Sequence, residues 1–270
     1  MRLHVSSVVA AAASALLSLS SASLTAQQLV DSPYLAGCAL PVAFAFHDDH
    51  LLFVAERDGY VRVVDHGNLL PSPMLDLREE VGGWRDFGLL GLALDPSFDT
   101  NGYVYVSYVV DRHHLLHYGT PAYSATTDEY FAASIVRVTR FTADAQTGFT
   151  TVVPGSRHVL FGETPSTGAV ITSETHGSGQ LLFGRDGTLL VAIGDGAHFF
   201  FGGDFGNDAR SYYQQAIADG MMRPEDNVGS WRSQMIGSCN GKILRLDPAT
   251  GDGVPSNPFF DPQQPRVPNA

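Results

Sequence analysis

The sequence predicts an all-β protein built from a repeated unit of short strands, on three observations. Runs rich in Val, Ile, Leu, Tyr and Phe alternate with clusters of Asp, Gly, Asn and Pro, the pattern of strands bounded by tight turns. Beyond the first residues no segment keeps a helical apolar period for more than about two turns; the best is DARSYYQQAIADGMM, from Asp208 to Met222. The last observation is internal similarity between three segments, each read as strand, tight turn, strand.

Taken in order, residues 1–26 are not expected to be part of the fold. Arg2 precedes an apolar stretch from Val5 to Leu19 and then small residues, the layout of a secretory signal cleaved near Ala26 or after Ser23. The mature protein is therefore expected outside the cytoplasm or in a periplasm, with 27–39 as a lead-in and a partial propeller over 40–270. The apolar stretch is short and serine-rich for a membrane span, and no other segment comes near one. LAGC, ending at Cys38, matches a lipoprotein cleavage pattern, but the polar Gln27, Gln28 and Asp31 separate it from the apolar region. A Cys38–Cys239 disulfide is the simpler expectation for an exported chain with 2 cysteines, the alternative being two buried thiols.

The first repeat is FHDDHLLFVAERDG (Phe46 to Gly59), the second LDPSFDTNGYVYVSY (Leu94 to Tyr108), and the third FGRDGTLLVAIGDG (Phe183 to Gly196). Each is later followed by an outer strand mixing basic and apolar residues: YVRVVDHG from Tyr60, IVRVTRFTAD from Ile135 and GKILRLDPATG from Gly241. A unit of about 40–50 residues with four short strands is the signature of a β-propeller blade, and such units bury their faces only against neighbours. There is room for about three blades where propellers have about four to eight, so the expectation is the N-terminal part of a longer ring. Net charge is −12, from 28 acidic and 16 basic residues without a basic cluster, which argues against nucleic acid or an anionic membrane as partner.

Three motifs in order, DFGLLGLALDPSFDTNGYVYVSY (Asp86 to Tyr108), THGSGQLLFGRDGTLLVAIGDG (Thr175 to Gly196) and GKILRLDPATGDGVPSNPFF (Gly241 to Phe260), resemble consecutive motifs of the soluble glucose/sorbosone dehydrogenases. These are the PQQ-dependent aldose dehydrogenases. The resemblance covers about Leu40 to Phe260 and implies a six-bladed β-propeller, export, PQQ and Ca2+ as cofactors, and oxidation of an aldose at C1 to its lactone. An electron acceptor completes the set of partners, and the oligomeric state is left open. His176, in the H-x-x-G motif, corresponds to the family's general base, and Asp86 to a polar residue facing the sugar. Thr175 stands where strong sugar oxidisers carry an acidic residue; the nearest carboxylate is Glu174. The family's cofactor-binding residues are expected beyond residue 270. Propellers of this lineage also serve as non-catalytic extracellular binding domains for protein or carbohydrate, the alternative reading.

The residues themselves suit that chemistry. A neutral imidazole near its usual pKa of about 6.5 can take a hydroxyl proton, and a carboxylate on its other nitrogen would fix the tautomer. If 174–176 is extended, Glu174 and His176 share a face, so Glu174 or Asp86 is the expected orienting group. Gly177 and Gly179 fail the dinucleotide pattern, since Leu182 replaces the third glycine and a strand follows. Ser178 lies in no nucleophile elbow. His113 and His117 in RHHLLHYG would suit zinc only on a helix, and the insertion from Val110 to Ala133 reads as a solvated loop. Asp195, Asp204, Asn207 and Asp208 are candidate calcium ligands, and Phe199 to Phe201 a candidate stacking surface.

Overall fold

The computed structural model describes residues 32–198 and 211–265. The expected leader at 1–26, Phe199 to Phe201, Asp204, Asn207 and Asp208 lie outside them. Three antiparallel sheets form in chain order, one around each repeat. The first contains β1 (Pro41–Phe46), β2 (Leu51–Glu56), β3 (Tyr60–Asp65), β4 (Asn68–Leu69) and β5 (Leu75–Asp76), with β5 pairing β3. The second contains β6 (Leu89–Leu94), β7 (Tyr103–Val109), β8 (Ser134–Thr142), β9 (His158–Phe161) and β10 (Ala169–Ile171), ordered β10-β8-β7-β6 with β9 on β8. The third is β11 (Ser178–Phe183), β12 (Leu189–Ile193) and β13 (Lys242–Leu246). The repeats are thus the β1–β2, β6–β7 and β11–β12 hairpins, and each outer strand adds where the sequence places it.

The second sheet is the middle layer, and its residues alternate between two cores. Leu89, Leu92, Val104, Val106 and Tyr108 join a core with Phe53, Val61 and Val63 of the first sheet. Ala93, Tyr105, Val109, Val136 and Val138 join another with Leu181, Val191 and Leu244 of the third. Burial on both faces explains why these strands read as nearly unbroken apolar runs rather than alternating ones. The second glycine of GLLG serves this packing: a Cβ on Gly91 would lie 2.3 Å from Ser107 Oγ and 2.8 Å from the Gly179 carbonyl oxygen. Its absence lets β6 approach β11 closely, and Ser107 Oγ donates to that carbonyl at 2.9 Å. No described helix is long and apolar enough to cross a membrane.

Helices are short: α1 (Phe98–Asn101) in the second hairpin turn, α2 (Arg112–His117), and α3 (Tyr213–Ala218) inside the segment with the best helical period. The expected disulfide is not formed. Cys38 packs with Leu35 and Leu69 over Leu52, Val54 and Val64 of the first sheet, while Cys239 is buried in the core of the second and third. The two thiols therefore belong to different layers. Burial pushes the Cys239 thiol up to about 12 and raises that of Cys38 as well. We expect identical migration with and without reductant, no labelling of Cys239 by a thiol reagent in the native protein, and labelling of both cysteines after denaturation. A mobility shift on reduction would contradict this.

Candidate active site

His176 lies on the turn leading into β11, and its backbone is held by the far end of β12. The His176 carbonyl accepts from Gly196 N at 2.8 Å, and the Gly177 carbonyl accepts from Gly194 N at 2.7 Å. A Cβ on Gly194 would lie 2.2 Å from the His176 carbonyl oxygen, so this contact requires glycine. His176 itself has φ 60°, left-handed and uncommon for a residue with a side chain; such strain persists only where surroundings enforce it. The glycines around it are therefore a backbone clamp.

Between the two clamping glycines stands Asp195, whose Oδ1 lies 2.9 Å from His176 Nδ1 and also accepts from Ala197 N at 3.0 Å. A carboxylate facing Nδ1 keeps the proton there and leaves the Nε2 lone pair as the basic site. The His176 side chain is 43% exposed, open to a substrate. Beneath the pair, buried Arg232 donates from Nε to the Asp195 carbonyl at 3.2 Å and from Nη2 to Thr172 Oγ1 at 2.8 Å.

The orienting group is thus Asp195 and not Glu174. Glu174 Oε2 instead lies 3.1 Å from Arg85 Nε. The extended-chain argument fails because the left-handed turn at His176 breaks the alternation of side chains. Asp195 was a calcium candidate in the sequence; its pairing with His176 follows from the strand register. Ser178 pairs Ile193 in the β11–β12 ladder, and continuing that register by two residues sets His176 opposite Asp195. Thr175 is 4% exposed and lies below the site rather than in it. Asp86 is exposed on the turn before β6, next to Arg85, while the following Phe87 packs its ring where Gly177 passes. Arg85, at φ 50°, and Phe131, at φ 55°, are also left-handed, and the Arg85 guanidinium sits 5.6 Å from the Phe131 ring centre. Phe131 and Tyr130 stack around Trp84 and remain exposed, an aromatic wall that no pattern in the sequence singled out.

Residues 38–267 match the sequence profile of the family described as Glucose / Sorbosone dehydrogenase. The chain belongs to the glucose/sorbosone dehydrogenase family. Its three blade-like sheets agree in fold with solved β-propeller members. An oxidoreductase of Thermus thermophilus, described as a glucose dehydrogenase, is 25% identical with a TM-score of 0.55, over 87% of this chain and 53% of that one. The PQQ-bound aldose sugar dehydrogenase of Streptomyces coelicolor is 22% identical with a TM-score of 0.55, over 87% and 51%. Among curated relatives, the Hedgehog-interacting protein of Mus musculus is 31% identical over 173 residues, 60% of this chain and 21% of that one. The chain therefore spans about half the length of the solved relatives and about a fifth of the curated one.

The described residues of this family member do not make a seat for a polycarboxylate quinone. Such a group needs cationic partners, and of the cations against the site Arg85 is engaged by Glu174 and Arg232 by the Asp195 carbonyl and Thr172 Oγ1. Asp195 Oδ1 is likewise committed to His176 and Ala197 N.

The insertion is a solvated loop, as expected, over most of 118–131, but its first part, with His113 and His117, is the ordered helix α2. Asp111 caps α2 by accepting from His113 N at 2.9 Å and His114 N at 3.2 Å, and it also accepts from Glu129 N at 2.9 Å. Arg112 bridges Glu129 and Asp219, while Leu115 and Leu116 pack on the core, so both His113 and His114 are buried. His113, His117 and Glu129 do converge, with possible ligand atoms within 4.8 Å of one another. However, His113 Nε2 accepts from Ser124 N at 3.0 Å, which puts the ring proton on Nδ1, facing Glu129 Oε1 at 3.5 Å. A metal there would have to displace that proton to the nitrogen already facing a donor, so the cluster reads as a hydrogen-bonded brace.

Proposed function

We propose that this chain supplies the proton-accepting side of an exported sugar dehydrogenase, with His176 as general base, Asp195 as its orienting partner and an aldose as substrate. The observation that carries this reading is the exposed imidazole on a strained, clamped turn with a carboxylate on Nδ1. Oxidising the C1 hydroxyl to a lactone removes one proton and one hydride. The proton passes from the hydroxyl to His176 Nε2, and Asp195 stabilises the imidazolium that results. On this reading Asp86 and Glu174 contact sugar hydroxyls, and the Tyr130–Phe131 wall faces the apolar side of the ring. The hydride acceptor suggested by the relatives is PQQ, with Ca2+, held by residues other than those described.

A second reading has its own support: the identity to a Hedgehog-interacting protein, 31%. On that reading the same face binds a protein or carbohydrate partner without redox chemistry. The two separate in an assay of the protein supplied with PQQ and Ca2+, following reduction of a soluble dye with several aldoses. The dehydrogenase reading expects aldose-dependent dye reduction and a quinone absorbance that survives gel filtration. Neither signal with any aldose would leave the binding module.

A further inference from the structure

We propose that the groove between the first and second sheets is a second binding site, separate from the one at His176, and that it takes a neutral saccharide. The groove holds about 670 Å³, within the range of about 300–1,000 Å³ that small-molecule sites occupy. Its walls come from β5 and the segment after it, α2, β8 and β9, and it shares no residue with the site at His176.

Three polar groups line this space with capacity to spare. The bonds to Glu80 from Tyr108, Arg137 and Arg157 all fall on Oε1, and Oε2 has no partner among the described residues. Arg157 gives Nη2 to that carboxylate, yet its side chain is still 40% exposed, so the rest of the guanidinium is open to a ligand. His114 is 8% exposed, and a relay fixes its ring proton. Tyr123 Oη donates to Glu79 Oε1 at 2.6 Å, since a carboxylate only accepts. The phenol oxygen then accepts from His114 Nδ1 at 3.1 Å, which leaves Nε2 a bare acceptor without a partner among the described residues. Burial lowers the His114 pKa, so the ring is neutral near pH 7 and keeps that lone pair.

The chemistry of the lining selects the ligand. Carboxylate and guanidinium stand side by side, so an anion would meet Glu80 and a cation would meet Arg137 and Arg157. A hydroxyl both donates and accepts: it can donate to Glu80 Oε2 or His114 Nε2 and accept from Arg157. Neighbouring hydroxyls on one ring can serve all three groups. Tyr118 adds an apolar platform for the C–H face of such a ring; it is stacked on His114 with ring centres 4.5 Å apart and is 64% exposed. Two further acids on this wall are already occupied, Asp76 by Arg78 and Glu79 by Tyr123. The inference is independent of the chemistry at His176.

Calorimetric titration of the purified chain with the methyl glycosides of glucose, galactose, mannose and xylose tests it. A methyl glycoside has no free C1 hydroxyl to oxidise, so the outcome does not depend on the dehydrogenase reading. At least one is expected to bind. Tyr118→Ala should weaken that binding by about 5–10-fold and Arg157→Gln by about 10-fold or more, both with unchanged circular dichroism. Tyr118→Phe, which keeps the platform, should bind within about 2-fold of the unaltered chain. Methyl glucuronoside should bind more weakly than the neutral glycosides, repelled by Glu80. No binding of any glycoside, an affinity untouched by Tyr118→Ala and Arg157→Gln, or tighter binding of the glucuronoside would overturn the proposal.

Discussion

Alanine at His176 is expected to lower kcat for aldose oxidation by about 10²–10⁴-fold, the span a positioned general base contributes, while KM changes by only a few-fold. On the proposed reading the imidazole takes the hydroxyl proton, while Asp86, Glu174 and the aromatic wall contact the sugar. Asp195→Asn should also lower kcat, because an amide can present a donor to Nδ1 and favour the opposite tautomer. Stability should hardly move in His176→Ala, since the side chain is largely open and the clamp is made by backbone. An unchanged kcat in His176→Ala would remove the proposed base.

The largest effect on stability is expected at Glu80. Its Oε1 accepts from Tyr108 Oη, Arg137 Nη1 and Arg157 Nη2, each at 2.6 Å, and the Tyr108 hydroxyl also meets Thr139 Oγ1 at 2.9 Å. Arg137 adds a bond from Nε to the Gly162 carbonyl at 2.6 Å, just after β9, while its bond to Glu80 ties the middle sheet to the segment before β6. Glu80, Arg137 and Tyr108 are buried. Burial alone would push the Glu80 carboxyl up, but the two guanidiniums and the Tyr108 hydroxyl together hold it below the usual carboxylate range. Glu80→Gln leaves Arg137 buried without its counter-charge and should cost about 3–5 kcal/mol, seen as a fall of about 10 °C in Tm. Because the folded-state pKa is depressed, this stability is present above the unfolded value of about 4.3 and is lost as pH falls through the folded one. The difference in Tm between the two proteins should therefore narrow in acid. A variant as stable as the unaltered chain at neutral pH would contradict the assignment.

The hairpins were legible because their turns are made of Asp, Asn and Gly and their strands of β-formers, both local signals. The stacking of three sheets followed from repeat spacing alone. What the sequence hid depends on contacts between segments. Asp195 was read as a possible metal ligand because its role appears only once β12 is laid against β11 and its register continued. The expected partner, Glu174, was assigned by assuming an extended backbone where His176 takes φ 60°. The α2 part of the insertion looked solvated because its order comes from Asp111, Glu129 and Asp219, residues up to 107 positions from Arg112. The cysteines looked paired because compartment and count were the only guides, while the layers that separate them are a property of the fold.

The central claim is that Asp195 holds the proton on His176 Nδ1 and so leaves Nε2 as the base. Nitrogen-15 NMR of the imidazole reads this directly, with His176→Ala identifying its signals. At a pH where the ring is neutral, the expected result is a protonated Nδ1 and a bare Nε2, with the pattern altered in Asp195→Asn. A ring that carries its proton on Nε2 in the unaltered protein would contradict the account.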